Sequence, residues 1–154
     1  MQSIAGFYSL DENQDDIAII TSILGLREDQ HSSSFAEATW LVSAGSNVSG
    51  DDNNGVVSFA DDRDVFKFST TGGYVNLLVS PSSVYPDLNI EVEIYSEAGI
   101  KLGTYNDGNN LSAAIATTLT AGIYYIQIDG VGDGDPLTSG YSDYGSLGFY
   151  QISG

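Results

Sequence analysis

The chain contains no cysteine. It therefore has no disulfide framework, no thiolate nucleophile and no thiol-ligated zinc or iron–sulfur site. Basic residues are nearly as scarce. Arg27, Arg63, Lys67 and Lys101 stand against 21 acidic residues, for a formal net charge of -17. Such a chain repels phosphate backbones and anionic lipid headgroups, which argues against nucleic acid or a membrane as partner. No run reaches the ~18 consecutive apolar residues of a spanning helix, and the first residues lack the basic-then-apolar pattern of a signal peptide. Proline is rare, at 3 residues against 18 glycines, while 42% of the chain is hydrophobic, which excludes wholesale disorder.

The common hydrolase signatures are missing too: no His-Glu-x-x-His, no Gly-x-Ser-x-Gly, no Walker loop and no dinucleotide-binding glycine pattern. A Ser-His-Asp triad would have to use His31, the single histidine. It lies in the polar run Glu28-Asp29-Gln30-His31-Ser32, which reads as a link between parts. A solvated or hydrogen-bonded linker histidine is the plain reading, and a neighbour of a metal site is the alternative. The acidic residues fall in turn-like runs rather than in an aromatic-lined sugar cleft. The chain is expected not to be an enzyme, with no catalytic residues.

What is present is strand grammar. Leu88, Ile90, Val92 and Ile94 alternate with Asn89, Glu91, Glu93 and Tyr95, the period-2 pattern of a strand with one solvated face. Similar segments start at Asp64, Tyr74, Lys101, Ala114, Ile123 and Gly148, separated by Gly-, Asn- and Asp-rich turns. These strands, without repeated helices between them, predict an all-β fold, an antiparallel β-sandwich of jelly-roll-like kind. Phe66, Phe68, Ile90, Val92, Ile94, Ile126, Ile128 and Ile152 are the expected core. Ahead of the strands lies a short irregular or helical N-terminal arm. Asp15-Asp16 before Ile17-Ala18-Ile19-Ile20 suits a helix N-terminus, with Gly25 ending it; the β-branched isoleucines also suit a short buried strand.

Three acidic runs offer the oxygen ligands that calcium prefers. Asp51-Asp52-Asn53-Asn54-Gly55 reads best as a turn. Asp61-Asp62-Arg63-Asp64 is a stronger candidate, because three carboxylates at a strand entrance repel one another unless spread apart or bridged. Asp62 and Asp64 project to the same side where the strand period holds, and Glu28 and Asp29 are possible contributors from the linker. A possible second metal loop runs from Asp129 and contains Asp133, Asp135 and Asp143, which either bind a cation or cap backbone N–H groups. None matches the EF-hand loop.

Several of these stretches together resemble a known family. Asp61-Asp62-Arg63-Asp64-Val65-Phe66-Lys67-Phe68, then Ala121-Gly122-Ile123-Tyr124-Tyr125, then Gly132-Asp133-Gly134-Asp135-Pro136 with Gly140-Tyr141-Ser142-Asp143-Tyr144-Gly145-Ser146-Leu147-Gly148 resemble the bacterial pre-peptidase C-terminal domain. The last run is the most specific. The likeness covers residues 32–154. Residues 1–31, through Gln14-Asp15-Asp16-Ile17-Ala18-Ile19-Ile20 and Gly25-Leu26-Arg27-Glu28-Asp29-Gln30-His31, are similar to the segment joining a secreted reprolysin-like zinc metalloprotease domain to such a domain. The zinc-binding helix of that protease is absent, so no zinc is expected here.

The resemblance implies a secreted or cell-surface bacterial accessory domain that aids secretion, folding or substrate attachment, with the parent peptidase's catalytic domain as its partner. It also implies calcium, held by Glu28 and Asp29 facing Asp61, Asp62 and Asp64. The alternative is a metal-free module for an extracellular protein or polysaccharide, using Tyr74, Tyr95, Tyr105, Tyr141 and Tyr144 as a binding face.

Overall fold

The computed structural model describes residues 16–25, 29–84 and 86–154. The arm contains one helix, α1 (Asp16–Leu24), followed by Gly25 at φ 80°, the left-handed conformation that ends helices without a Cβ penalty. Of the two readings of this segment, the helical one is what the chain adopts. Ile19, Ile20 and Ile23 on α1 are exposed. The rest of the arm, residues 1–15 and 26–28, lies outside the described residues.

The body is a sandwich of two sheets. Its strands are β1 (Thr39–Trp40), β2 (Ser43–Ala44), β3 (Asn47–Val48), β4 (Asn54–Val57), β5 (Asp64–Thr70), β6 (Gly73–Pro81), β7 (Ile90–Ser96), β8 (Lys101–Tyr105), β9 (Ala113–Leu119), β10 (Gly122–Gly130) and β11 (Gly148–Ser153). One sheet has the order β1-β5-β10-β7-β8 and the other β4-β11-β6-β9, while β2 and β3 form a small hairpin. The short β1 joins β5 in parallel; the remaining pairs among the described residues are antiparallel.

Alternation explains the core. On β7, Ile90, Val92 and Ile94 are buried, while Glu91, Glu93 and Tyr95 face outward. Across the sheet, Ile94 pairs with Ile126 and Val92 with Ile128, so inward residues stack in layers. Phe66, Val79, Ile115 and Ile152 are among the other fully buried residues, drawn from both sheets. Phe68 is the one expected core residue that is only partly buried; it lies against the core with its ring 5.9 Å from that of Tyr124.

Two features position the candidate site. Asp62 N–H donates to the Phe59 carbonyl at 3.0 Å, closing the turn that feeds β5. The linker before β1 is pinned to the start of β5, where Val65 N–H donates to the Ser32 carbonyl at 3.1 Å. Contacts of the sandwich therefore reach back to His31, which is buried. Its ring nitrogens lie 3.0 Å from Thr39 Oγ1 and 2.7 Å from the Asn54 carbonyl oxygen. Its ring centre is 4.4 Å from that of Phe66. This histidine is a hydrogen-bonded strut.

Candidate metal centre

The β5 entrance and the pinned linker bring three carboxylates together. Asp29, Asp62 and Asp64 each offer one oxygen, and all three lie within 4.8 Å of one another. Asp64 is fully buried and Asp62 nearly so, while Asp29 is exposed. Asp62 and Asp64 are two apart on the chain, which keeps both on the inner side of the strand entrance.

Hydrogen bonds fix each group in place. Asp29 Oδ1 accepts from His31 N–H at 3.0 Å. Asp62 Oδ2 accepts from Ser58 N–H at 2.6 Å. Asp64 Oδ2 accepts from the Tyr150 hydroxyl. The other Asp64 oxygen, Oδ1, is buried without a hydrogen-bond partner. An unpartnered carboxylate oxygen removed from water is costly, and this one belongs to the residue at the heart of the cluster.

Backbone shape makes the arrangement possible. A Cβ on Gly55 of β4 would lie 2.1 Å from the Tyr150 hydroxyl oxygen and 2.7 Å from Asp64 Oδ2. Glycine is required here by space, not by a left-handed backbone.

The electrostatics are those of crowded acids. Burial raises the Asp64 pKa to about 7, opposed by the Tyr150 hydrogen bond and helped by Asp62 and Asp29. Burial also raises Asp62, against the Ser58 hydrogen bond and with the charges of Asp29 and Asp129. Tyr150 is pushed well above its ordinary value by burial first and by Asp64 second. Arg63, the nearest cation in sequence, does not neutralise the group: its Nε pairs with Asp129 at 2.8 Å, on the outer face. Such a set of oxygen donors suits a hard divalent cation.

Of the other expected ligands, Asp61 is exposed, lies in the turn ahead of β5 and stays outside this cluster. Glu28 lies outside the described residues.

No family model and no curated protein matches the chain. Among solved structures, it is similar to the pre-peptidase C-terminal domain of collagenase from Bacillus anthracis, at a TM-score of 0.50 and 14% identity. That match covers 75% of this chain and 92% of the other. The fold is that of a pre-peptidase C-terminal domain.

Within this pre-peptidase C-terminal fold, the glycine- and aspartate-rich loop after β10 is organised by its own backbone. Asp133 and Tyr141 exchange two backbone hydrogen bonds, at 3.0 and 2.8 Å, and the Asp135 carbonyl accepts from Thr138, Ser139 and Gly140. Asp135 Oδ1 caps Leu137 N–H at 3.0 Å. The glycines allow strands of the loop to touch: a Cβ on Gly132 would lie 2.4 Å from the Tyr141 carbonyl oxygen, and one on Gly140 2.2 Å from that of Asp133. Asp143 opens a short 3-10 turn whose carbonyl accepts from Ser146 N–H. Asp133, Asp135 and Asp143 are not gathered into a metal-ligating group among the described residues; the run that carries the family likeness builds a wound loop instead.

Nor do the five tyrosines form one face. Tyr74 projects from β6 and is 71% exposed. Tyr95 lies on the other sheet, donates to Glu93 and packs under Phe35. Tyr105 packs against the core, while Tyr141 and Tyr144 belong to the wound loop. Their spacing along the chain carries no information on which strands are neighbours. Composition did not point to the aromatic cluster that does form, in which Phe35 lies 4.9 Å from Tyr95 and 5.0 Å from Tyr125 by ring centres. Tyr150 was missed as well, since nothing in its own strand shows that it meets Asp64 of β5.

Proposed function

We propose that this chain is a non-catalytic accessory domain of a secreted bacterial metallopeptidase, stabilised by calcium at Asp29, Asp62 and Asp64. The observation that carries the metal reading is the buried, unpartnered Asp64 Oδ1 beside two further carboxylates. Backbone carbonyls and water would complete the six to eight oxygen ligands that calcium takes. Zinc fits less well, since no histidine or cysteine joins the cluster.

The ion's role is mechanical. Asp29 belongs to the linker and Asp62 and Asp64 to the sandwich, so one cation would clamp the arm to the β5 entrance. At a hundredfold saturation such binding contributes about 2.7 kcal/mol to the folded state. The role as an accessory to a peptidase rests on the shared fold and on the likeness of the arm to a metallopeptidase tail. Exposed isoleucines on α1 are consistent with further protein packing there. In that setting the domain aids secretion, folding or substrate attachment of its parent.

The deciding experiment is the melting temperature of chelator-stripped protein with millimolar calcium, with magnesium as control. A calcium-specific rise of several degrees, lost in Asp62→Asn and Asp64→Asn, is expected. Equal melting with and without calcium would sink the metal reading. The accessory role is tested separately, by secretion and activity of the parent peptidase with and without this domain.

A further inference from the structure

Charge is divided unequally between the two sheets. In the sheet of β4, β11, β6 and β9, no strand contains an Asp, Glu, Lys or Arg. In the other sheet β5 carries Asp64 and Lys67, β7 Glu91 and Glu93, β8 Lys101 and β10 Asp129. One whole sheet is thus free of charge in a chain with 21 acidic residues and a net charge of -17.

Alternation decides which of these neutral residues reach the surface. Leu77, Val79, Ile115 and Ile152 belong to the core, so their neighbours along each strand point outward. Leu78 is 42% exposed on β6, and register sets it beside Ala114 of β9 and Ser153 of β11. Asn76 pairs with Ala116 in the same way. All of these outward residues are exposed. Tyr74, two positions before Asn76, adds an aromatic ring that is 71% exposed. The result is one continuous outer face of apolar and neutral polar groups.

Depletion of charge with an aromatic ring among apolar groups is the composition of the centre of a protein–protein interface. The charge pattern also selects the partner. A basic protein is drawn to the acid-bearing surfaces instead, and an anionic lipid surface is repelled. A charge-free face suits a partner as acidic as this chain, because the two can meet there without carboxylates facing carboxylates. We infer that the outer face of the β4-β11-β6-β9 sheet packs on the same face of a second copy of this chain, across a two-fold axis. Four strands about 4.8 Å apart and about six residues long span roughly 400 Å². That is below the ~800 Å² per partner of a standard interface, so the dimer is weak and reversible.

Sedimentation velocity of the whole chain tests this, at protein concentrations up to about 1 mM. Chelator is present throughout, so that no calcium bridges the carboxylates of two copies. A monomer–dimer equilibrium is expected, with a Kd between about 10 µM and 1 mM. It should tighten as salt rises from about 0.05 to 0.5 M and screens the net charge. Leu78→Glu should weaken it at least tenfold while leaving the melting temperature unchanged. Ser69 is exposed on β5 of the other sheet; Ser69→Glu adds the same charge there and should change the Kd by less than about twofold. A chain that stays monomeric at every concentration overturns the inference. So does a dimer that resists Leu78→Glu, that Ser69→Glu disrupts equally, or that weakens with salt. Each outcome is independent of the calcium reading, because the metal is withheld.

Discussion

The hydroxyl of Tyr150, on β11, donates to Oδ2 of Asp64 at the start of β5 and so ties the two sheets together. That bond turns the opposite oxygen, Oδ1, into the one left without a partner. Tyr150 is itself buried, 2% exposed, with its ring 6.4 Å from that of Phe66.

Replacing Tyr150 by Phe keeps the packing and deletes the bond. Removing one partner of a buried hydrogen bond costs about 1–3 kcal/mol. Urea denaturation of Tyr150→Phe should therefore show a loss in that range, with an unchanged m-value. A variant as stable as the parent would mean that Asp64 finds an equal partner elsewhere.

Gly55 is the companion of this pair. The Cβ of Gly55→Ala would overlap the Tyr150 hydroxyl and crowd Asp64. Overpacking a tight site costs about 1–3 kcal/mol or more. The expected result is a lower melting temperature and a diminished calcium response. Gly108→Ala is the control, because a Cβ there meets nothing within 4 Å; it should melt as the parent does.

The wound loop after β10 makes its own prediction. Ser146 is buried, and its Oγ both accepts from Asn89 N–H at 2.8 Å and donates to the Asn89 carbonyl at 3.2 Å. This single hydroxyl docks the loop on the entrance to β7. Ser146→Ala leaves the Asn89 N–H unpaired, while the Asn89 carbonyl keeps its bond from Val131 N–H at 2.9 Å, and should cost about 1–3 kcal/mol. Hydrogen exchange at Asn89 should rise in parallel. Unchanged protection there would show that the loop is held by other means.

Much of the fold was legible because it depends on alternation, which a single sequence displays. The strands around Phe66, Ile94, Ile126 and Ile152 all show it, and those residues are fully buried or nearly so. The strands of two residues, β1 to β3, are too short to show a period and went unseen. The candidate site was half legible. The repulsion among Asp61, Asp62 and Asp64 is written in the sequence; that the turn before β5 leaves Asp61 exposed and outside the cluster is not. Which distant residues meet them is not: Gly55 and Tyr150 arrive from β4 and β11 through sheet order. The Gly-Asp loop misled in the opposite direction, since aspartates that cap backbone and aspartates that bind cations occur with the same glycine neighbours.

pH offers the sharpest reading of the carboxylate cluster. In the metal-free protein Asp64 titrates at about 7, raised chiefly by burial, and Asp62 is raised for the same reason. An aspartate in the unfolded chain titrates near 3.9. A group whose folded pKa lies above its unfolded value binds more protons when folded. Its stabilising effect is complete below the unfolded pKa and is lost as pH rises through the folded one. Metal-free protein should therefore melt at a higher temperature near pH 5.5 than near pH 8.5, a range where ordinary carboxylates stay ionised. Asp64→Asn, which cannot ionise, should flatten that slope. Calcium reverses the sign, because its ligands must shed their protons first. The calcium-induced rise in melting temperature should grow with pH across the same range. Were both slopes flat, Asp64 would be ionised throughout, and the cost of its burial would have to be met by a neighbour other than a metal ion.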